Sequence, residues 1–432
     1  MWFGLEKDMP REIRLCGQLF VLGILLLGLP CPLWAEDPNV HQEHSQLRSL
    51  IEEALQHNPE LVAEHAQVEA MVERVPQSHS LDDPELTFRL WNTPNSLDVT
   101  RSDRTIFGLA QQFPFPGTLS EQEHIAEHVV EQAEQRLAGK KREIIAAVKV
   151  AYYEWWYAHQ AIEIHHQEAT RLQQFFEGAT AKFRVGKGTQ VDVLKAQVEQ
   201  SKWFQHLPIL EQQKETAQAH LNTILNREAH APLGLPLEPG GALRVLSLEY
   251  LQGQALQERP EIKEAALAVE QFDSTIKLAE LQTYPHLRVE VQRWQNRHAN
   301  DGFGGIVSIN LPFVFWTKPK YEAGVREAMA HREVAQFKKR TLENQTRFQI
   351  QDLMAQIEAK KNVLNLYKTT VLPQAKLTLR AAIAGYRTDR NDFLDLIAAD
   401  RALLTYQLEF VRTLVDWEQV LAKLERVVGT EL

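Results

Sequence analysis

Ile144, Val148, Ala151, Trp155, Ala158, Ile162, His165, Ala169, Leu172, Phe176, Ala179 and Phe183 advance along the chain by alternating fours and threes. All but His165 are apolar. An apolar residue roughly every 3.5 positions, sustained this far, marks a coiled-coil seam. The surrounding segment, 118–184, has no proline, and its only glycines are Gly139 and Gly178. At a rise of about 1.5 Å per residue such a helix reaches roughly 100 Å. No compact domain encloses a rod of that length, so the rod itself organises the fold.

Working outward, the rod ends in Phe183-Arg184-Val185-Gly186-Lys187-Gly188-Thr189-Gln190-Val191-Asp192-Val193-Leu194, and a return helix is expected over 190–226. The same order recurs about 200 residues later. Tyr386-Arg387, followed by Leu394-Asp395-Leu396-Ile397, matches Phe183-Arg184, followed by Val191-Asp192-Val193-Leu194. Ala54-Leu55-Gln56-His57-Asn58-Pro59-Glu60 returns as Ala255-Leu256-Gln257-Glu258-Arg259-Pro260-Glu261. Pro84-Glu85-Leu86 returns as Pro285-His286-Leu287, and Phe113-Pro114-Phe115 as Leu311-Pro312-Phe313. Four collinear matches identify a tandem duplication.

Each half is expected to open with an amphipathic helix, 46–75 and 247–283. A hairpin follows. Leu287, Val289 and Val291 alternate with Arg288, Glu290 and Gln292, and Val307, Ile309 and Leu311 alternate with Ser308 and Asn310. That period of two gives strands with one apolar and one polar face. Asn92-Thr93-Pro94-Asn95-Ser96 and Asn300-Asp301-Gly302 supply the turns. The second long helix pair is expected over 320–386 and 392–427, with a kink at Pro373. A Pro- and Gly-rich stretch, 232–241, joins the halves. The chain therefore divides into a leader (1–35), repeat 1 (36–228), a linker (229–246), repeat 2 (247–428) and a short tail (429–432).

The 47 Lys and Arg against 57 Asp and Glu give a net charge of −10. That balance argues against nucleic-acid binding. The 2 cysteines, Cys16 and Cys31, exclude a disulfide scaffold or a cysteine-based metal centre. Both fall in a segment that reads as a secretory signal. Arg11 and Arg14 precede an apolar run at 19–29, Pro30 and Pro32 break it, and Leu33-Trp34-Ala35 offers cleavage before Glu36. Glu6 and Asp8 sit awkwardly in such a leader and favour translation from Met9. The run is short for a membrane-spanning helix, and Gly28-Leu29-Pro30 before Cys31 fits lipidation poorly. No later run is apolar enough to span.

Four strands cannot close a barrel, since about eight is the practical minimum. Their alternation nevertheless suits a wall between lipid and water. An exported chain with such hairpins points to an outer membrane, with several copies closing one barrel.

Taken together, these residues resemble the TolC-like outer-membrane efflux family over nearly the whole mature chain. The carriers are Asn58-Pro59-Glu60, the paired hairpins with Phe113-Pro114-Phe115-Pro116-Gly117, the 183–194 tip and the duplication itself. The resemblance implies a mainly helical chain with a small β portion. It also implies a homotrimer, with a twelve-stranded β-barrel and a twelve-helix coiled-coil tube extending through the periplasm. The tube would dock on a periplasmic adaptor and an inner-membrane resistance-nodulation-division pump. The Phe-Pro-Phe-Pro-Gly exit and Asp83-Pro84-Glu85-Leu86 look most like the heavy-metal branch. A passive duct without enzymatic activity or cofactor follows; a duct for drugs or secreted proteins, and a soluble periplasmic coiled-coil scaffold, are the competing readings.

At the first tip, Gly186 and Gly188 permit a tight reversal through positive φ, and Thr189 is placed to cap the return helix. In the family this turn receives the adaptor, which would make Val185, Gly186, Lys187, Gly188, Thr189 and Asp192 the docking residues. The second tip replaces the glycines with charge. Asp395 aligns with a carboxylate that rings the closed entrance in relatives, so Asp395 with Asp392 is a candidate cation-selecting ring. The competing reading makes Asp392 a helix cap and Asp395 a solvated first-turn carboxylate. Arg387 and Arg390 either bridge helices and hold the tube shut or are simply solvated.

Three further patterns carry less. His124-Ile125-Ala126-Glu127-His128 fits the H-x-x-E-H peptidase signature, but it lies on an unbroken rod without a cleft, so at most His124 and His128 touch metal weakly. Gly186-Lys187-Gly188-Thr189 lacks the first glycine and the final hydroxyl of a phosphate loop. Among the aromatics at 152–157, Tyr152 and Trp155 are expected in the core and the others between neighbouring helices. His41 and His44 crowd the mature N-terminus as a weak metal-scavenging arm or as a tail without function.

Overall fold

The computed structural model of the chain describes residues 38–93, 102–239 and 247–432, with side chains from residue 46 onward. The leader with Cys16 and Cys31, the Met9 start, the side chains of His41 and His44, and part of the first hairpin turn lie outside the described residues.

The first repeat runs α1 (Pro38–His57), α2 (Pro59–Val72), α3 (Val75–His79), β1 (Glu85–Trp91), β2 (Arg104–Phe113), α4 (Thr118–Arg184) and α5 (Gln190–Ile224). The second runs α6 (Leu248–Glu258), α7 (Pro260–Leu281), β3 (Leu287–Asn296), β4 (Gly302–Ile309), α8 (Lys318–Leu366), α9 (Leu372–Arg387) and α10 (Phe393–Val428). The leading helices, expected to be continuous, are each broken before a proline, and the first again at Glu73-Arg74. Asn58 and Arg259 precede prolines, whose rings disfavour helical backbone in the residue before them, and both are extended at ψ 124° and 119°. Asn58 turns the break into a joint. Its Oδ1 accepts from the Glu60 N–H at 2.9 Å, and its Nδ2 donates to the Ile224 carbonyl at the end of α5 at 2.9 Å. Arg259 instead reaches α8, donating to Thr346 at 2.9 Å and Gln349 at 3.1 Å.

α4 is one uninterrupted helix of 67 residues and packs on α5, α7 and α10. The seam holds from Ile144 to Ala158 and continues at every seventh residue through His165, Leu172 and Ala179, while the alternate positions move one residue back to Ala161, Glu168 and Phe175. Ile164 and Phe175 are buried where Ile162 and Phe176 were expected, and Phe183 is exposed. Tyr153 and Trp156, expected between helices, are buried with Tyr152 and Trp155 in a core shared with α1, α5 and α10. A second core gathers Leu172, Phe175, Leu379, Phe393 and Leu396 beside the tips.

At Pro373, where a kink is expected, the chain stays helical but irregular. The proline's missing N–H and its ring bear on the Thr369 carbonyl one turn back. The chain widens there into a π-helical stretch, Tyr367–Val371. Such a bulge absorbs the misfit without ending the helix. Tyr367 donates to Glu409 of α10 at 2.6 Å, and that bond pushes its phenol up to about 12.

The strands form one antiparallel sheet in the order β1-β2-β3-β4. Its middle pair, β2 with β3, joins the two repeats, Leu109 facing Val291 and Phe113 facing Leu287. One face carries Leu86, Phe88, Leu109, Val291 and Val307 and is exposed. The other is polar. Glu290, only 6% exposed, meets Arg89 at 3.6 Å and accepts from Gln292 at 2.7 Å. Arg288 pairs with Glu85 on the same face. Among the described residues no helix is long and apolar enough to cross a membrane.

Candidate functional site: the paired helix tips

Both turns are built by the same local rule. In the first, Gly186 adopts φ +72°. The Gly186 N–H donates to the Phe183 carbonyl at 3.1 Å and the Lys187 N–H to that of Lys182 at 2.9 Å. This pair of bonds closes a helix end around one left-handed residue. The second turn is superimposable in its bonding. Asp389 takes φ +60°, its N–H donates to Tyr386 at 3.4 Å, and the Arg390 N–H donates to Gly385 at 2.9 Å. An aspartate thus occupies the position of Gly186. The charged tip keeps the glycine conformation because Asp tolerates left-handed backbone better than most residues.

Gly188 has a different role from the one expected of it. Its φ is not positive. A Cβ there would lie 3.0 Å from the Lys182 Cβ and 3.1 Å from the Phe183 nitrogen, so the requirement is space. In the second turn the small residue has changed sides. Gly385 stands where Lys182 does, and Asn391 fills the gap, its side chain 2.7 Å from where a Gly385 Cβ would be.

The helix starts differ in one detail. Thr189 and Asp192 form a full capping box on α5, at 3.2 and 3.3 Å. Asp192 therefore satisfies a backbone donor. On α10, Asp392 caps by accepting from the Asp395 N–H at 2.8 Å, but nothing reciprocal holds Asp395. Its exposed carboxylate has no side-chain partner among the described residues. Arg387 and Arg390 are exposed and form no ion pair among the described residues.

One residue that the sequence did not single out joins the two tips. Lys182 donates to the Tyr386 carbonyl and to Asp389, and its ammonium lies 4.2 Å above the Tyr386 ring. Hydrogen bonding from Lys182 holds the Asp389 carboxyl below its usual range. Burial, then the charges of Asp192 and Asp389, pushes the Tyr386 phenol up. Its ring meets Phe393 edge-on at 5.6 Å. Around this knot Val185, Val191, Leu194 and Leu394 are exposed.

Further along the rod Arg171 of α4 donates to Asp400 of α10 at 2.6 Å. Asp400 is 1% exposed. Burial pushes its carboxyl up, against the pull of Arg171 and with Glu168 and Glu199 nearby. His165, the polar seam residue, is satisfied by Glu168 at 3.0 Å. The signal for Asp400 was available: it follows Phe393, Leu396 and Ile397 at core spacing on α10.

The H-x-x-E-H stripe assembles no metal centre. His124 turns to Glu127 at 3.1 Å and His128 to Glu131 at 3.0 Å. Among the described residues no group of three metal-ligating side chains converges.

Against this geometry, comparison with known proteins is consistent. The chain matches the family described as Outer membrane efflux protein twice, over residues 50–227 and 251–430. It is 23% identical over 363 residues to the cobalt-zinc-cadmium resistance protein CzcC of Cupriavidus metallidurans, covering 82% of each chain. Among solved structures, the outer membrane protein VceC of Vibrio cholerae aligns with a TM-score of 0.75 at 18% identity, over 91% of this chain and 99% of that one. The transmembrane channel CusC aligns with a TM-score of 0.75 at 15% identity, over 89% and 92%.

Proposed function

The chain belongs to the outer membrane efflux protein family, and from that premise we propose that it is the trimeric exit duct of a tripartite pump that expels heavy-metal cations. Members of the family are efflux channels rather than enzymes. The observation that carries the reading is the sheet: four strands, open at both edges, with an exposed apolar face and a polar face. Such a sheet is a third of a barrel wall. Three copies supply twelve strands, which is within the range of membrane barrels. The long helices then extend from the outer membrane into the periplasm, and the tips face the inner membrane. Cargo enters between the tips from a resistance-nodulation-division pump, and a periplasmic adaptor docks on Val185, Lys187 and their exposed apolar neighbours. The resemblance to a cobalt-zinc-cadmium resistance protein supports the metal cargo.

Asp395 fits a cation-selecting ring because, of the two first-turn aspartates, only its carboxylate is left without a partner among the described residues. Lys182, bound to both Tyr386 and Asp389, ties the outgoing helices of one protomer together at the closed entrance. Arg387 and Arg390 project into the same region.

Outer-membrane fractionation and a heat-modifiable trimer on a gel test the architecture. A soluble periplasmic monomer would sink it and favour the scaffold reading. Deletion of the coding sequence tests the cargo. Sensitivity to cobalt, zinc or cadmium is expected, whereas sensitivity confined to drugs would replace the metal assignment with the drug duct.

A further inference from the structure

The two repeats leave the sheet differently. In repeat 1, β2 passes through Phe113-Pro114-Phe115-Pro116-Gly117 directly into α4. Phe115 is half-buried, stacked on Tyr284 with ring centres 4.5 Å apart and 16° between planes. In repeat 2, β4 is followed by an additional turn before α8. Phe313, Phe315 and Trp316 project from it, 61%, 83% and 68% exposed. Phe315 and Trp316 contact each other edge-on at 4.5 Å.

The turn is built, not slack. The N–H groups of Thr317 and Lys318 both donate to the Val314 carbonyl at 2.9 Å. The Thr317 hydroxyl lies 2.9 Å from the Pro312 carbonyl and 3.2 Å from those of Leu311 and Val314. The backbone is thus held in a shape that keeps the aromatic rings out in the medium. Water would not reward that arrangement. Lys318 and Lys320 follow at once. Lys318 is well exposed, with only a loose 3.5 Å contact to Glu322, and the Lys320 ammonium stands 5.4 Å from the Tyr321 ring.

We propose that the turn at residues 313–320 is a lipid anchor, seating Phe313, Phe315 and Trp316 at the headgroup boundary of the helix-side leaflet while Lys318 and Lys320 meet phospholipid phosphates. This rests on the membrane placement proposed above. Three observations select a bilayer as the occupant. The turn continues the exposed apolar face of the sheet, following Val307 and Ile309 without interruption. Tryptophan and phenylalanine with lysine behind them match the layered polarity of that boundary. The lysine stems are long enough to leave the apolar layer and reach anionic headgroups. A protein partner would need no such layering. One anchor per chain gives three around a trimer, all at one depth, and fixes how far the barrel sinks.

The test uses the full chain reconstituted in vesicles of phosphatidylcholine and phosphatidylglycerol, with bromine on the acyl chains either near the headgroup or near the bilayer centre. The fluorescence of Trp316 is the difference between the native chain and Trp316→Phe. That difference signal is expected to be quenched strongly by shallow bromine and weakly by deep bromine. Quenching by neither lipid, in trimers that insert and conduct, overturns the anchor and leaves the duct standing. Failure of the chain to insert overturns both. A second measurement reads the lysines: Lys318→Gln/Lys320→Gln is expected to move the difference signal away from shallow quenching in vesicles rich in phosphatidylglycerol. No movement removes the phosphate contact from the proposal.

Discussion

Lys182 joins two turns that are some 200 residues apart in sequence, and three contacts converge on its one ammonium. If this knot helps hold the entrance closed, Lys182→Gln should raise resting conductance in planar bilayers while trimers still form. Unchanged conductance would remove Lys182 from the gate. The bond also sets a pH window. The Asp389 carboxyl is held low in the folded chain. Its contribution is therefore present above the unfolded value, about 3.9, and is lost as pH falls through the depressed folded value. Native channels should leak more only below the ordinary carboxylate range, whereas Lys182→Gln should leak at neutral pH and respond less to acid. Asp395 is the separate test of selectivity. Asp395→Asn preserves shape and removes a charge that no other described residue uses. The expected result is a clear fall in cation preference, read from reversal potentials across a salt gradient. An unshifted reversal potential would leave Asp395 as a solvated first-turn residue.

At the scale of elements, the tips and the rod make different demands. Thr189→Ala removes the cap of α5 and should destabilise the first tip by about 1 kcal/mol. Gly188→Val should disturb it more, since its Cβ has no room beside Lys182, while Gly385 and Asn391 show how a larger residue is admitted when its neighbour shrinks. Between α4 and α10, Asp400→Leu strands Arg171 in a largely buried site. The expected loss is about 3 kcal/mol, and Arg171→Met/Asp400→Leu should recover most of it. The temperature at which trimers dissociate on a gel reads both. Equal losses in the single and double variants would count against a pairing role. These cases also show what the sequence made legible. The rod, the hairpins, the reversal and the Thr189 cap follow from periodicity and local turn chemistry, which act within a few residues. The breaks at Asn58 and Arg259 were equally local and were signalled by the following prolines. The burial of Ile164 and Phe175 in place of Ile162 and Phe176, the burial of Tyr153 and Trp156, and the Lys182 knot were not legible. Each depends on which distant helix lies alongside, and no residue spacing carries that information.

At the scale of the molecule, the sheet is the part whose polarity is inverted relative to an ordinary soluble domain. Val291, near the centre of β3, is 58% exposed, while its neighbour Gln292 is 8% exposed. For a sheet in water this order is unfavourable on both counts: apolar area is left wet, and polar groups are withdrawn. In a barrel wall both become favourable, because the exposed face meets acyl chains and the polar face meets the lumen. Strand length agrees. The 10 residues of β3 extend about 33 Å along the strand, and a tilt of about 40° reduces this to roughly 25 Å, the height of the apolar band of membrane barrels. The two faces should therefore respond oppositely to the same charge. Val291→Arg places a guanidinium among acyl chains, flanked by Leu109 and facing Gly305. The expected penalty is about 2–4 kcal/mol per chain, incurred three times in a trimer, enough to abolish heat-modifiable trimers in the outer membrane. Gln292→Arg, one residue on, turns toward Glu290 and the lumen and should leave trimers intact. Trimers that form equally well with either arginine would mean that the apolar face meets something other than lipid.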